Sequence, residues 1–281
     1  MNSIDSAYIN SEKLAKDHYE NFPVLSFFVS KKLRKHVAVI YKFARDADDI
    51  ADEGDKDPAE RLKELDEYNQ NLKDCLSKSY KTDFWFALAN TIKELNLSEN
   101  NFYNLLKAFK QDVNKHRYND FNELLDYCSN SANPVGRIIL ELNGIRNEKA
   151  FYYSDKICSA LQLANFYQDV SIDFNKGRIY IPLDECDEYQ VNENQFGIKE
   201  NSSNFTNLIK YQIKRTREMF NEGRNLLEML PYKLRIQISW TINGGEAILS
   251  KIEKMNFDVL NRRPKLSKTD YFIALIKALL N

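Results

Sequence analysis

Tyr41, Arg45, Asp48 and Asp52 in YKFARDADDIADE recur at spacings of four, three and four, with Asp49 beside them. In a helix these spacings fall on one stripe, so two carboxylates one turn apart are placed to grip the same cation. The alternative is a solvated acidic face. Against it stands the apolar or small character of Val37, Ala38, Val39, Ile40, Phe43, Ala44, Ala47, Ile50 and Ala51, which implies that much of the helix is buried. Carboxylates turned inward cost several kcal/mol each unless a cation or donor compensates them.

A second stripe follows about 120 residues later, where ALQLANFYQDVSIDF sets Gln162, Asn165, Asp169 and Asp173 at spacings of three, four and four. Carboxylates and amides without His or Cys suit a hard ion such as Mg²⁺ rather than zinc. Because Mg²⁺ retains water and phosphate oxygens, two incomplete cages on separate helices imply a phosphorylated ligand between them. Just downstream, Lys176, Arg178 and Tyr180 surround Gly177 in NKGRIYIP, and the basic side chains are placed to reach a diphosphate. In DYCSNSANPVG, Tyr127 precedes Ser129, Ser131, Ala132 and Gly136. Pro134 there either kinks a helix and opens space beside it, or the small residues serve close helix packing.

The elements that must position these residues read as helices. Gly and Pro number only 8 and 6, and apolar residues recur at three and four rather than two. The clearest segments are Leu33 to Asp52, Ala59 to Cys75, Asp83 to Leu95, Ser98 to Val113, Phe121 to Leu142, Lys149 to Asp173, Asn204 to Met229 and Tyr232 to Met255. Gly54 sits where a helix-terminating glycine belongs, Ser98 where an N-cap belongs, and Pro182 ends the extended GRIYIP stretch. The Asn-rich interval from Asp184 to Ser203 reads as a surface excursion between helices. The fold class is therefore all-α, an antiparallel helical arrangement in one domain over residues 1–281.

Composition narrows the function further. Forty basic against 41 acidic residues give a net charge of −1, which excludes the one-signed field that favours nucleic acid. Cys75, Cys128, Cys158 and Cys186 form no CxxC pair, and His18, His36 and His116 form no zinc spacing. No GxGxxG, P-loop or GxSxG is present, so a dinucleotide fold, a P-loop nucleotidase and the commonest esterase signature find no support. The N-terminus lacks a basic region followed by an apolar stretch, and no apolar run approaches the roughly 18 residues of a membrane span, which gives a cytoplasmic reading. The segment YFIALIKALL near the C-terminus reads either as a membrane-surface contact, peripheral at the inner face, or as core packing. Some of the 17 Phe and 16 Tyr are available to line a tunnel, where each ring face stabilises a carbocation by about 0.5–2 kcal/mol.

Taken together, these motifs resemble the squalene/phytoene synthase family over nearly the whole chain, nearest its bacterial hopanoid-pathway branch. YKFARDADDIADE is similar to the family's first aspartate-rich motif and QLANFYQDVSIDFNKGRIYIP to its second. HYENFPVLS at His18 to Ser26, SANPVG at Ser131 to Gly136, and GGEAILSKIEKMNFDVLNRRPKLSK at Gly244 to Lys268 add to the resemblance. It implies an isoprenoid-synthase-type fold with a central apolar cavity, in which Asp48, Asp52, Asn165, Asp169 and Asp173 bind Mg²⁺ and diphosphate. By the same resemblance His18, Arg45, Arg178 and Tyr180 contact the diphosphate, and Phe22, Tyr41, Tyr127 and Gln162 border the cavity. The implied reaction is Mg²⁺-dependent ionisation of presqualene diphosphate and capture of the cation by water, without a redox cofactor. Its alternatives are condensation of two farnesyl diphosphates, phytoene formation, and a non-catalytic helical protein that binds lipid or a partner. Enzymes of squalene synthesis are the implied protein partners.

Overall fold

The computed structural model describes residues 3–18 and 30–280, with the side chains of 6–13 and 30–280, and contains no strand among them. Its contacts gather the chain into two compact units: Met1–Asn114 with Arg137–Arg146, and Lys115–Gly136 with Asn147–Asn281.

The first unit holds α1 (Ser3–His18), α2 (Lys31–Asp52), α3 (Pro58–Leu76), α4 (Asp83–Glu94) and α5 (Glu99–Asn114). Val39, Phe43, Ala47 and Ala51 bury a four-residue ladder along α2, as one face of a 3.6-residue period must. Phe43 meets Phe102 at 5.3 Å, Tyr68 at 5.5 Å and Trp85 at 6.3 Å between ring centres, so α2 is anchored to its neighbours through one aromatic cluster. Full burial of such a ring stabilises the fold by about 1.5–3 kcal/mol. The helix ends where Gly54 turns to φ +77°, a conformation that costs glycine no Cβ clash. Arg61 then secures that end, donating to the carbonyls of Ile50 (3.0 Å), Glu53 (3.0 Å) and Gly54 (2.6 Å). A capping box of Asp57 and Glu60, with Pro58 at the first helical position, starts α3 immediately afterwards.

The second unit begins with α6 (Phe121–Ser131) and the first residues of α7 (Asn133–Leu142). It continues through α8 (Glu148–Gln168), α9 (Val170–Asn175), α10 (Leu183–Glu188), α11 (Glu193–Gly197), α12 (Ser203–Gly223), a 3₁₀ turn at Arg224–Met229, α13 (Tyr232–Lys254) and α14 (Lys268–Leu280). Three expected continuous helices are interrupted. Phe121 to Leu142 breaks at Ala132, Lys149 to Asp173 breaks at Asp169, and the segment from Asn204 tightens to 3₁₀ after Gly223. Pro134 therefore lies in the first turn of α7, where its missing N–H costs nothing, rather than kinking a longer helix.

Close packing of α8 against α12 depends on Gly223. A Cβ there would stand 2.6 Å from Ile157 Cγ1 and 3.2 Å from both Ile157 N and Tyr153 O, which are backbone and have little room to yield. Gly223→Ala is expected to destabilise the protein by about 1–3 kcal/mol, read as a lower urea midpoint. An unchanged midpoint would show that α12 shifts without cost. Gly136 is likewise tight: an added Cβ would lie 2.4 Å from Cys158 Sγ and 2.5 Å from Ser154 Oγ. Of the two readings of SANPVG, close packing is the one found at this glycine.

Candidate active site

On α2 the expected stripe forms, because the helix is continuous from Lys31 to Asp52. Asp48, Asp49 and Asp52 flank the buried ladder rather than entering it, and the Asp48 side chain remains 46% exposed. Arg45 Nη2 lies 2.6 Å from Asp49 Oδ1, and Nη1 lies 3.3 Å from Asp48 Oδ2. Part of the compensation expected from a cation is supplied here by Arg45 on the same helix, to Asp48 and Asp49. Tyr41 is half-buried on the stripe. Asp46 points elsewhere, held by Lys42 at 2.8 Å, and burial raises its carboxyl above the usual range while the Lys42 hydrogen bond opposes that rise.

On the second unit the stripe survives an interruption. Asp169 leaves helical geometry at φ −109°, ψ 14°, yet its N–H donates to Asn165 O at 2.9 Å and its carbonyl accepts from Asp173 N at 2.8 Å. The hydrogen-bond ladder thus carries Gln162, Asn165, Asp169 and Asp173 through the break on one partly exposed face. The opposite face of α8 is buried through Ile157, Ala160, Leu163, Ala164 and Tyr167. After α9 the chain reverses at Gly177, with φ +78°, and Arg178 N donates to Asp173 O at 2.8 Å. Ile179 N then donates to His116 O at 2.9 Å, fixing the extended stretch that follows.

This reversal brings the chemistry together. Asp173, Arg178 and Tyr180 line one small crevice with Phe166, Val170 and Phe196. Tyr180 stacks on Phe166 with ring centres 3.9 Å apart and planes 5° from parallel, and Tyr127 completes the aromatic group at 5.9 Å from Tyr180. Tyr127 and Tyr180 are therefore buried ring walls. Lys176 is exposed at the turn. Phe166, one residue after Asn165, is not among the residues that the spacing of the stripe points to.

Arg263 was missed. Its Nε donates to Asp169 Oδ1 at 2.5 Å and its Nη2 to Asp169 Oδ2 at 3.0 Å, a fork-to-fork pair that fixes the carboxylate plane. Those bonds raise the Arg263 guanidinium above its ordinary value, so it remains charged. Gln168 Nε2 donates to Pro264 O at 2.7 Å and holds the same segment against the end of α8. The sequence signal was the RRPK tetrapeptide, but nothing in it shows a partner 94 residues away.

Among the described residues no group of three or more His, Cys, Asp or Glu side chains is gathered to hold a metal ion. Each acidic helix offers a partial, all-oxygen donor set. That chemistry fits a hard divalent ion completed by water and phosphate oxygens. The Phe22 position and the His18 side chain lie outside the described residues.

The family described as squalene/phytoene synthase matches residues 15–270. A hydroxysqualene synthase from Sinorhizobium fredii is 30% identical over 264 residues, covering 93% of this chain and 88% of that protein. A hydroxysqualene synthase from Rhodopseudomonas palustris is 30% identical over 273 residues, covering 96% and 91%. The crystal structure of squalene synthase HpnC from Alicyclobacillus acidocaldarius superposes with a TM-score of 0.86 at 33% identity, covering 90% of this chain and 95% of that one. A dehydrosqualene synthase in complex with ligand superposes at 0.87 with 19% identity, a likeness of fold alone.

Proposed function

The chain belongs to the squalene/phytoene synthase family, and from that premise we propose that it ionises presqualene diphosphate and delivers the cation to water, giving hydroxysqualene and diphosphate. Supporting this reading most strongly is the family match over residues 15–270, together with the all-oxygen stripe of Asn165, Asp169 and Asp173 on one partly exposed face. We take the whole chain as one catalytic domain with a central apolar cavity, a reading the family match from residue 15 to 270 favours.

In the proposed reaction the C–O bond breaks with its electron pair leaving on diphosphate. Mg²⁺, when bound through Asp48, Asp52, Asn165, Asp169 and Asp173, would supply positive charge against that leaving group. Arg45 and Arg178 would donate to the departing oxygens, where donors aimed at developing charge act most strongly. Arg263 would hold Asp169 in orientation. Tyr127 would border the cavity, and Tyr180, stacked face to face on Phe166, would contact the diphosphate. Tyr41 and Gln162, with Phe22, would border the hydrocarbon; His18 would add a diphosphate contact. The rearranged cation takes up water oxygen, and one proton is released to solvent.

Arg45→Ala and Arg178→Ala are each expected to slow turnover by roughly 10²-fold with little change in melting temperature, because both side chains are partly exposed. Full activity in either variant would remove that residue from the site.

Condensation of two farnesyl diphosphates is the second reading, because the matched family takes in squalene and phytoene synthases alike. Supplying farnesyl diphosphate and presqualene diphosphate separately, with and without Mg²⁺, distinguishes the two. Conversion of presqualene diphosphate with Mg²⁺ supports the proposal. Consumption of farnesyl diphosphate with accumulation of unchanged presqualene diphosphate supports condensation, and inertness toward both supports a non-catalytic lipid- or partner-binding role. The site of action we propose is cytoplasmic, alongside other enzymes of squalene synthesis; among the described residues no helix is long and apolar enough to cross a membrane.

A further inference from the structure

The C-terminal helix is seated with its small residues inward. Ala274 and Ala278 are buried, while Phe272 is 62%, Ile273 49%, Ile276 40%, Leu279 49% and Leu280 82% exposed. Residues 272, 276, 279 and 280 recur at helical spacing, so they form one apolar face.

This face is not the product of a loose end. Asn243 Nδ2 donates to Ala274 O at 3.1 Å, and Trp240 Nε1 donates to Tyr271 O at 3.0 Å, pinning α14 to α13. Ser267 and Asp270 cap its start, with Asp270 Oδ2 accepting from Ser267 N at 2.6 Å, and Lys251 pairs with Asp270 at 2.9 Å. The apolar side chains are therefore presented by a fixed helix, and a contiguous exposed apolar patch marks an interaction surface.

Charge selects the partner. Across residues 259–280, Arg262 pairs with Asp258, Arg263 with Asp169 and Asp270 with Lys251, so the charge that the surface around α14 offers comes from Lys265, Lys268 and Lys277. Lys265, Lys268 and Lys277 are exposed. Self-pairing about a two-fold axis would bring a patch against its own copy, lysines included. An anionic lipid surface accepts both features at once, with apolar side chains entering the acyl boundary and lysines meeting the headgroups.

We propose that the outer face of α14 is a docking surface for anionic lipid bilayers. The extended segment feeding it is the one clamped to the second acidic helix through Arg263 to Asp169 and Gln168 to Pro264. Docking would therefore hold that end of α8 close to the bilayer. The proposal rests on this face and its charge and is independent of the reaction assigned above.

Flotation of the full chain with vesicles of phosphatidylcholine alone, or with phosphatidylglycerol added, tests it without any substrate. The protein is expected to float with the anionic vesicles and to remain behind with the neutral ones. Lys265→Glu with Lys268→Glu should weaken flotation by about tenfold or more, and Phe272→Asp with Ile276→Asp should abolish it, both with unchanged circular dichroism and melting temperature. Failure of the wild type to bind anionic vesicles would overturn the proposal, as would undiminished binding by the Phe272→Asp, Ile276→Asp variant. A wild-type dimer in sedimentation that the same variant converts to monomer would instead assign the face to a second copy of this chain.

Discussion

Asp169→Asn and Asp52→Asn are each expected to lower kcat by roughly 10²–10³-fold with little change in melting temperature. Asparagine keeps the shape and one oxygen of the side chain but removes the charge that a divalent ion would need. Neither carboxylate is buried in the core, so folding does not depend on it. For Asp169 the substitution releases Arg263 to solvent, a loss worth no more than about 1 kcal/mol for a partly exposed pair. Asp46→Asn supplies the control on the same helix: Asp46 is held by Lys42 and lies off the stripe, so turnover should persist. Steady-state rates at saturating Mg²⁺ decide the matter. Undiminished turnover in Asp169→Asn or Asp52→Asn would show that the corresponding stripe does not hold metal or diphosphate.

The largest expected effect on stability lies away from the site, at Glu185. Its carboxylate, 6% exposed, accepts from both terminal nitrogens of Arg215, with Nη2 to Oε2 at 3.1 Å, and from Gln212 Nε2 at 2.8 Å. Arg215 in turn lies with its guanidinium carbon 3.3 Å from the centre of the Phe121 ring. The group ties α10 to α12. Glu185→Ala leaves a guanidinium with no counter-charge in a largely desolvated place, a change that costs about 3–5 kcal/mol. That corresponds to a melting temperature lower by on the order of 10 °C. Glu185→Leu combined with Arg215→Met should recover much of the loss, since apolar replacement of a whole buried pair is often neutral. A Glu185→Ala melting curve that overlays the wild type would contradict this account of the pair.

The legible parts of the fold were those governed by helical period. Val39, Phe43, Ala47 and Ala51 on α2, and Ile157, Ala160 and Ala164 on α8, repeat at three and four, and both helices appear where that repeat places them. The break at Asp169 was not legible, because Asp169 is neither Gly nor Pro and the apolar pattern runs through it, whereas Pro134, two residues after Ala132, marked a disturbance there without fixing where the first helix ends. At Asp169 even the hydrogen bonds continue, from Asn165 O to Asp173 N. Helices α10 and α11 have 6 and 5 residues, too few to display a period. Both fall within or at the edge of the interval from Asp184 to Ser203, which was expected to be a surface excursion but buries Glu185, Cys186, Val191, Gln195 and Phe196.

For the site, spacing exposed the two acidic stripes, and the order of residues after Asp173 brought Arg178 and Tyr180 to the same crevice. Arg263 and Arg61 escaped because each acts on another segment: one on a carboxylate 94 residues away, the other on the carbonyls that close α2. A sequence shows the donor in such cases and hides the acceptor. The orientation of α14 was equally hidden, since hydropathy counts Ala and Phe together and cannot tell which of them a neighbouring helix has room to seat.

Supplying presqualene diphosphate with Mg²⁺ in isotopically labelled water, without nicotinamide, tests the proposed chemistry most directly. Cleavage of the C–O bond and capture by solvent predict an alcohol that carries the label and a diphosphate that does not. Label in the released diphosphate with none in the alcohol, or presqualene diphosphate recovered intact, would contradict it.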